Sequence, residues 1–219
     1  MKKALYILLI MAAGLCGCGP TLYNVKVNGY TDPAAPALIA PGGSFFVIEN
    51  QQAKNPLLEK EIAGKINKLL TNRGFSLSAY EQAQYYLFFS YGIGQELAAS
   101  VAMPDYSYGF GLGGGPGYGW RGGGSYFFAA PFFTFYPTPE NLYSRWLLLN
   151  VVDGKYYREK GEFRTIWVGE ARSTGTSADL RTAINYLLLA DFQQFGQNTG
   201  KAVSVEINEA APQVQGLTK

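Results

Sequence analysis

The chain has 219 residues, of which 18 are basic and 16 acidic, with two cysteines and no histidine. A near-neutral chain lacks the electrostatic footprint of a nucleic-acid binder. The missing histidine removes the commonest general acid–base and the commonest metal ligand together. Both cysteines, Cys16 and Cys18, sit near the N-terminus, so no disulfide can staple the body of the chain and its stability must come from a core. About 200 residues are enough to bury one as a single domain.

Lys2 and Lys3 give a positive start, and Ala4 to Leu15 form an uncharged, mostly apolar run. That is the pattern of a signal peptide. The run is too short for a spanning helix, which needs roughly 17–25 apolar residues. It ends in Leu15-Cys16-Gly17-Cys18, which resembles the lipobox of bacterial lipoproteins. The resemblance implies cleavage after residue 17 and a diacylglyceryl thioether on Cys18, usually with a third chain (palmitate) on the new amine. A single acyl chain binds a membrane only reversibly, whereas two or three hold stably. Gly19, rather than an aspartate, follows the cysteine. By similarity to Gram-negative sorting signals, that implies the outer membrane, periplasmic side. Loss of Lys2 and Lys3 leaves 16 charges of each sign, and no polybasic patch adds attraction to anionic lipid.

Tyr23 to Asn28 alternate in the manner of a short strand. Asp32-Pro-Ala-Ala-Pro and Ala40-Pro-Gly-Gly43 punctuate regular structure, so residues 18–43 read as a lipidated N-terminus and a Pro/Ala-rich tether. Ser44 to Glu49 suit a buried strand. A helix follows, with Asn55 as N-cap and Pro56 in its first turn. Leu58, Ile62, Ile66, Leu69 and Leu70 share one face, and Gly74 closes it. Phe75 to Ser78 read as a short strand. Tyr85 to Tyr91 form a stronger one, apolar on both faces and therefore central.

Residues 106–136 break the pattern. Ten of the sixteen residues from Gly109 to Gly124 are glycine, and twelve aromatics lie between Tyr106 and Tyr136. So much glycine raises the entropy cost of ordering, and the tract reads as a long insertion between two strands. Three readings stay open. It is a membrane-interface or partner-binding patch, in which case Tyr118, Trp120, Tyr126, Phe127, Phe128, Phe132 and Phe133 are the contact residues. Alternatively it folds back over the sheet, or it is a low-complexity segment with little role. Its Gly109-Phe-Gly-Leu-Gly-Gly114 matches a dinucleotide fingerprint in letters only, since Pro116 and more glycine stand where a helix is required.

Arg145 to Asp153 and Arg164 to Arg172 read as an antiparallel hairpin joined by a polar loop, Gly154 to Glu162. A capping box at Thr176 and Asp179 opens a second helix over 178–195, with Leu180, Ile184, Leu187, Leu188 and Phe195 on one side. Ala202 to Ile207 form a final strand, and 208–219 a loose polar tail. Glu49, Glu59, Glu61, Glu162 and Glu170 fit no nucleophile or metal-ligand pattern and read as solvated surface. Trp146 and Trp167 read as core or cross-strand packing.

The order of four pieces resembles a family of bacterial lipoproteins of unknown function, widespread in Gram-negative envelopes. They are the helix NPLLEKEIAGKINKLLTNRGFS (55–76), the strand 86–91, the Gly/Tyr/Trp-rich insertion 109–120, and the hairpin 147–172 with its Trp-x-Gly-x-Ala strand. The resemblance supplies no reaction and no ligand.

The expected fold is α+β over residues 44–207: one mixed or antiparallel sheet of about six strands with two helices on one face. The expected function is a non-enzymatic, lipid-anchored envelope protein. It would have no catalytic residues, metal, cofactor or nucleic acid, and would serve as a structural or partner-binding module on the outer membrane. The alternative is a small-molecule or lipid-binding lipoprotein whose cleft is lined by the Tyr/Phe face of residues 85–91.

Overall fold

A computed structural model describes residues 21–33, 39–96 and 142–218. The strands are β1 (Leu22–Thr31), β2 (Ser44–Ile48), β3 (Ser76–Leu77), β4 (Tyr85–Glu96), β5 (Leu142–Asp153), β6 (Thr165–Gly175) and β7 (Val203–Asn208). The helices are α1 (Pro56–Asn72), α2 (Gly154–Lys160), α3 (Leu180–Gln193) and α4 (Pro212–Thr218). One seven-stranded sheet has the order β3-β2-β4-β5-β6-β1-β7. It is mixed: β2 runs parallel to β3 and β4, and every other pairing is antiparallel. The α+β class is as expected, and the described residues form seven strands rather than about six and four helices rather than two.

The period of two in each strand divides the sheet into two faces. Val25, Val27, Phe45, Leu87, Phe89, Leu147, Leu149, Val151, Trp167 and Ala171 point to the main core, beneath α1, α3 and α4. α1 contributes Ile62, Ile66, Leu69 and Leu70, as its spacing foretold. The Asn55 side chain accepts a hydrogen bond from the Leu58 N–H (3.1 Å), and Gly74 supplies the left-handed turn (φ 83°) after the last residues. α3 is buried on more than one side, since α1 and α4 flank it on the sheet. Asp179 caps it directly, accepting from the Thr182 N–H. The expected Thr176 box is not the cap.

Three expectations are corrected. The loop Gly154 to Glu162 contains α2, capped by the Asp153 carboxylate on the Tyr156 N–H (2.9 Å) and ended by Gly161 at φ 71°. What stabilises so short a helix is packing. Tyr157 meets Tyr86, Phe88 and Phe163 in a second small core on the opposite face. The tail 208–219 contains α4, whose Val214 and Leu217 are buried. Two such side chains contribute about 1.5–3 kcal/mol each, more than the roughly 1 kcal/mol that Gly216 costs a helix. The short strand read over Tyr23 to Asn28 is present as β1, but it is longer, Leu22–Thr31, and lies inside the sheet between β6 and β7, so these residues are not part of a tether.

Candidate functional site

The seven aromatics expected as contacts, Tyr118 to Phe133, and Cys18, the expected site of lipid attachment, lie outside the described residues. What the structure gives is the place from which their segments depart. β4 and β5 pair to their very ends, Glu96 opposite Leu142. Gly175, the last residue of β6, pairs with Tyr143 at the start of β5. β1 opposes β6 with Lys26 at Arg172, which puts Leu22 level with the end of β6, and Asn208 closes β7 against Leu22. Five strand ends therefore meet at one end of the sheet. Both long segments outside the described residues, 1–20 and 97–141, attach there.

Side chains at this end form a compact polar group. Arg145 is buried at 3% exposure and its Nη1 donates to the Tyr186 hydroxyl (2.9 Å). Its guanidinium lies 5.8 Å from the Tyr186 ring centre, and its Nε has no hydrogen-bond partner. Gly175 makes room for it, because a Cβ there would collide with the Arg145 guanidinium. Tyr23 stacks on Tyr186 at 3.9 Å. Burial pushes the Tyr186 hydroxyl up to about 12 against the opposing pull of Arg145. Burial, with Glu209 adding to it, raises Tyr23 as well. Both phenols are neutral near pH 7 and neither is an activated nucleophile. The group ties β1, β5 and α3 together at the sheet end.

Of the carboxylates read as solvated surface, Glu59 is an exception. It is buried at 4% exposure, accepts from the Asn50 N–H (2.8 Å) and from the Tyr91 hydroxyl, and its pKa is raised chiefly by burial. Position 59 follows Leu58 on the helix, and no apolar spacing signals a buried acid there. Glu61 joins Arg181 (2.7 Å) and Lys65 (2.6 Å), tying α1 to α3. Trp167 is core, its Nε1 donating to the Gln197 carbonyl (3.0 Å), whereas Trp146 is half-buried on the other face. The two do not share a face.

The face of Tyr85, Leu87 and Phe89 is packed into the main core, and Tyr86 and Phe88 into the smaller one. Side chains thus fill both sides of the first part of β4. Among the described residues no group of three or more His, Cys, Asp or Glu side chains is placed to hold a metal. No helix among them is long and apolar enough to cross a membrane.

The family model for a domain of unknown function, DUF4136, matches residues 30–195. The chain belongs to the DUF4136 family. The match takes in β2 through α3 and the whole insertion between β4 and β5. Among solved structures, this DUF4136 chain is similar to a PDZ domain protein from Parabacteroides distasonis, with TM-score 0.51 and 14% identity over 86% of this chain. The chain spans 40% of that protein's length, and the likeness is one of fold. A DUF4136 family protein from Bacteroides thetaiotaomicron aligns at 17% identity and TM-score 0.40, over 80% of this chain and 97% of its own. A PelC dodecamer from Paraburkholderia phytofirmans aligns at 9% and 0.40, over 80% and 98%. No curated protein matches the DUF4136 chain.

Proposed function

We propose that this DUF4136 protein is a lipid-anchored, non-enzymatic module of the bacterial outer membrane, held on the periplasmic side through Cys18. Its glycine- and aromatic-rich tract, 106–136, is its contact surface. The observation that carries the reading is the sequence Leu15-Cys16-Gly17-Cys18 closing an apolar leader just before the folded domain opens at Leu22. Support also comes from the chemistry of the interior. Among the described residues, buried Arg145 donates to the Tyr186 hydroxyl and buried Glu59 accepts from the Asn50 backbone, ties that hold elements of the fold together. A chain that binds through a tract between two paired strands needs a rigid frame under it, and β4 and β5 supply one along twelve residues each.

The test is fractionation of cells carrying Cys18→Ser. The wild-type protein is expected to stay with membranes through a carbonate wash, and the variant to be released or to remain as an uncleaved precursor. A processed serine variant that withstands the wash as the parent does would refute the anchor. A crosslinker placed at Tyr118 or Tyr126 in intact cells then reads what the tract touches.

A further inference from the structure

We infer that the sheet end bearing Leu22, Leu142, Tyr143 and Gly175 is the membrane-facing surface of the molecule, and that it meets the lipid that holds Cys18. The inference rests on the anchor proposed above and adds the orientation and the partner, a zwitterionic lipid surface.

The argument is one of chain length. Cys18 stands four positions before Leu22, which begins a strand paired on both sides. Four residues reach at most about 14 Å when fully extended. The start of β1 therefore cannot leave the headgroup region by more than that. The ends of β4, β6 and β7 and the start of β5 are level with it, so the register brings all of them to the membrane together. β5 extends twelve residues away from this end, about 40 Å at strand rise. The far end, with Asp153 and Arg164, is out of reach.

The side chains suit this surface. Leu22 is 61% exposed, and Tyr143 and Leu142 are half-buried beside it. Apolar and aromatic side chains at such a rim sit well at headgroup level. Charge points to the lipid type. Asp179 and Glu209 lie at this end, and Arg181 is occupied by Glu61. Attraction to anionic lipid is therefore not the source of contact. Glu96 and Leu142, the described residues on either side of 97–141, both lie at this end.

The experiment uses the full lipidated protein in phosphatidylethanolamine–phosphatidylcholine vesicles. With Cys16 lost in the leader and Cys18 acylated, a cysteine introduced at exposed Thr174 or exposed Arg164 is the only free thiol. A donor dye at 174 is expected to transfer energy to acceptor lipid strongly, and a dye at 164 to lose most of that transfer. Replacing part of the lipid with an anionic one should leave the ratio unchanged. Equal transfer from both sites, or more from 164, overturns the orientation. A rise in transfer with anionic lipid overturns the lipid assignment. The Cys18→Ser fractionation reads the anchor separately, so an anchored protein with equal transfer refutes only this inference.

Discussion

Asp191 is wholly buried on α3, and neither of its carboxylate oxygens has a hydrogen-bond partner. It lies over Gly169 of β6, where any Cβ would collide with it and with the Trp167 ring. Burial, with nearby Glu170 adding to it, holds its pKa well above the usual carboxylate range. The folded chain thus keeps a proton that the unfolded chain gives up, and stability from this site falls as pH rises through the interval between the two pKa values. Glu59, also raised by burial, acts in the same sense. Glu61 and Asp179 act oppositely. Hydrogen bonds to Arg181 and to Thr182 respectively lower them, so their contribution is present above the unfolded pKa and lost as pH falls through the folded one. Asp191→Asn carries no proton to lose. Its thermal midpoint is expected to exceed that of the parent at about pH 8 and to converge with it near about pH 4. Parallel profiles across that range would show that Asp191 is not held neutral.

At the scale of elements, α4 is the informative case. Its Leu217 and Val214 close over α3, and Lys68 of α1 donates to the Gly216 carbonyl (2.7 Å). Leu217→Ala is expected to cost about 2–5 kcal/mol in urea unfolding, the range for truncating a buried leucine. A loss below about 0.5 kcal/mol, the range of an ordinary surface substitution, would return the segment to the status of a tail. The longer elements were legible because their signals are redundant. α1 has a cap, a proline, a five-residue apolar stripe and a closing glycine, and all agree. β5 carries Trp146 to Val152 broken only by Asn150, and β6 carries the β-branched and aromatic run Ile166-Trp-Val168. α2 and α4 were missed because each is seven residues long and shows no apolar stripe of its own. Tyr157 and Leu217 become helix-forming only when Phe88 or α3 is already in place to receive them. Glu59 was missed for the same reason: its partners are Asn50, just after β2, and Tyr91 of β4, not residues of α1. The seven aromatic contact residues came from composition alone, which names a tract without giving it a geometry.

For the whole molecule, the sheet is a frame with two unlike ends. One collects the start of β1 and the points of departure of 97–141; the other carries Asp153, Arg164 and the β2–β3 edge. A protein so arranged has a built-in polarity, and the anchor proposed at Cys18, four residues before β1, would turn that polarity into an orientation. The account depends first on the chemistry of one sulfur. Intact-mass and peptide mass spectrometry of the protein purified from its own envelope tests it most directly. The expected N-terminal peptide begins at Cys18 and carries two or three acyl chains through its thioether and amine. A peptide that begins upstream of Gly17, or one whose Cys18 bears a free thiol, would contradict the account.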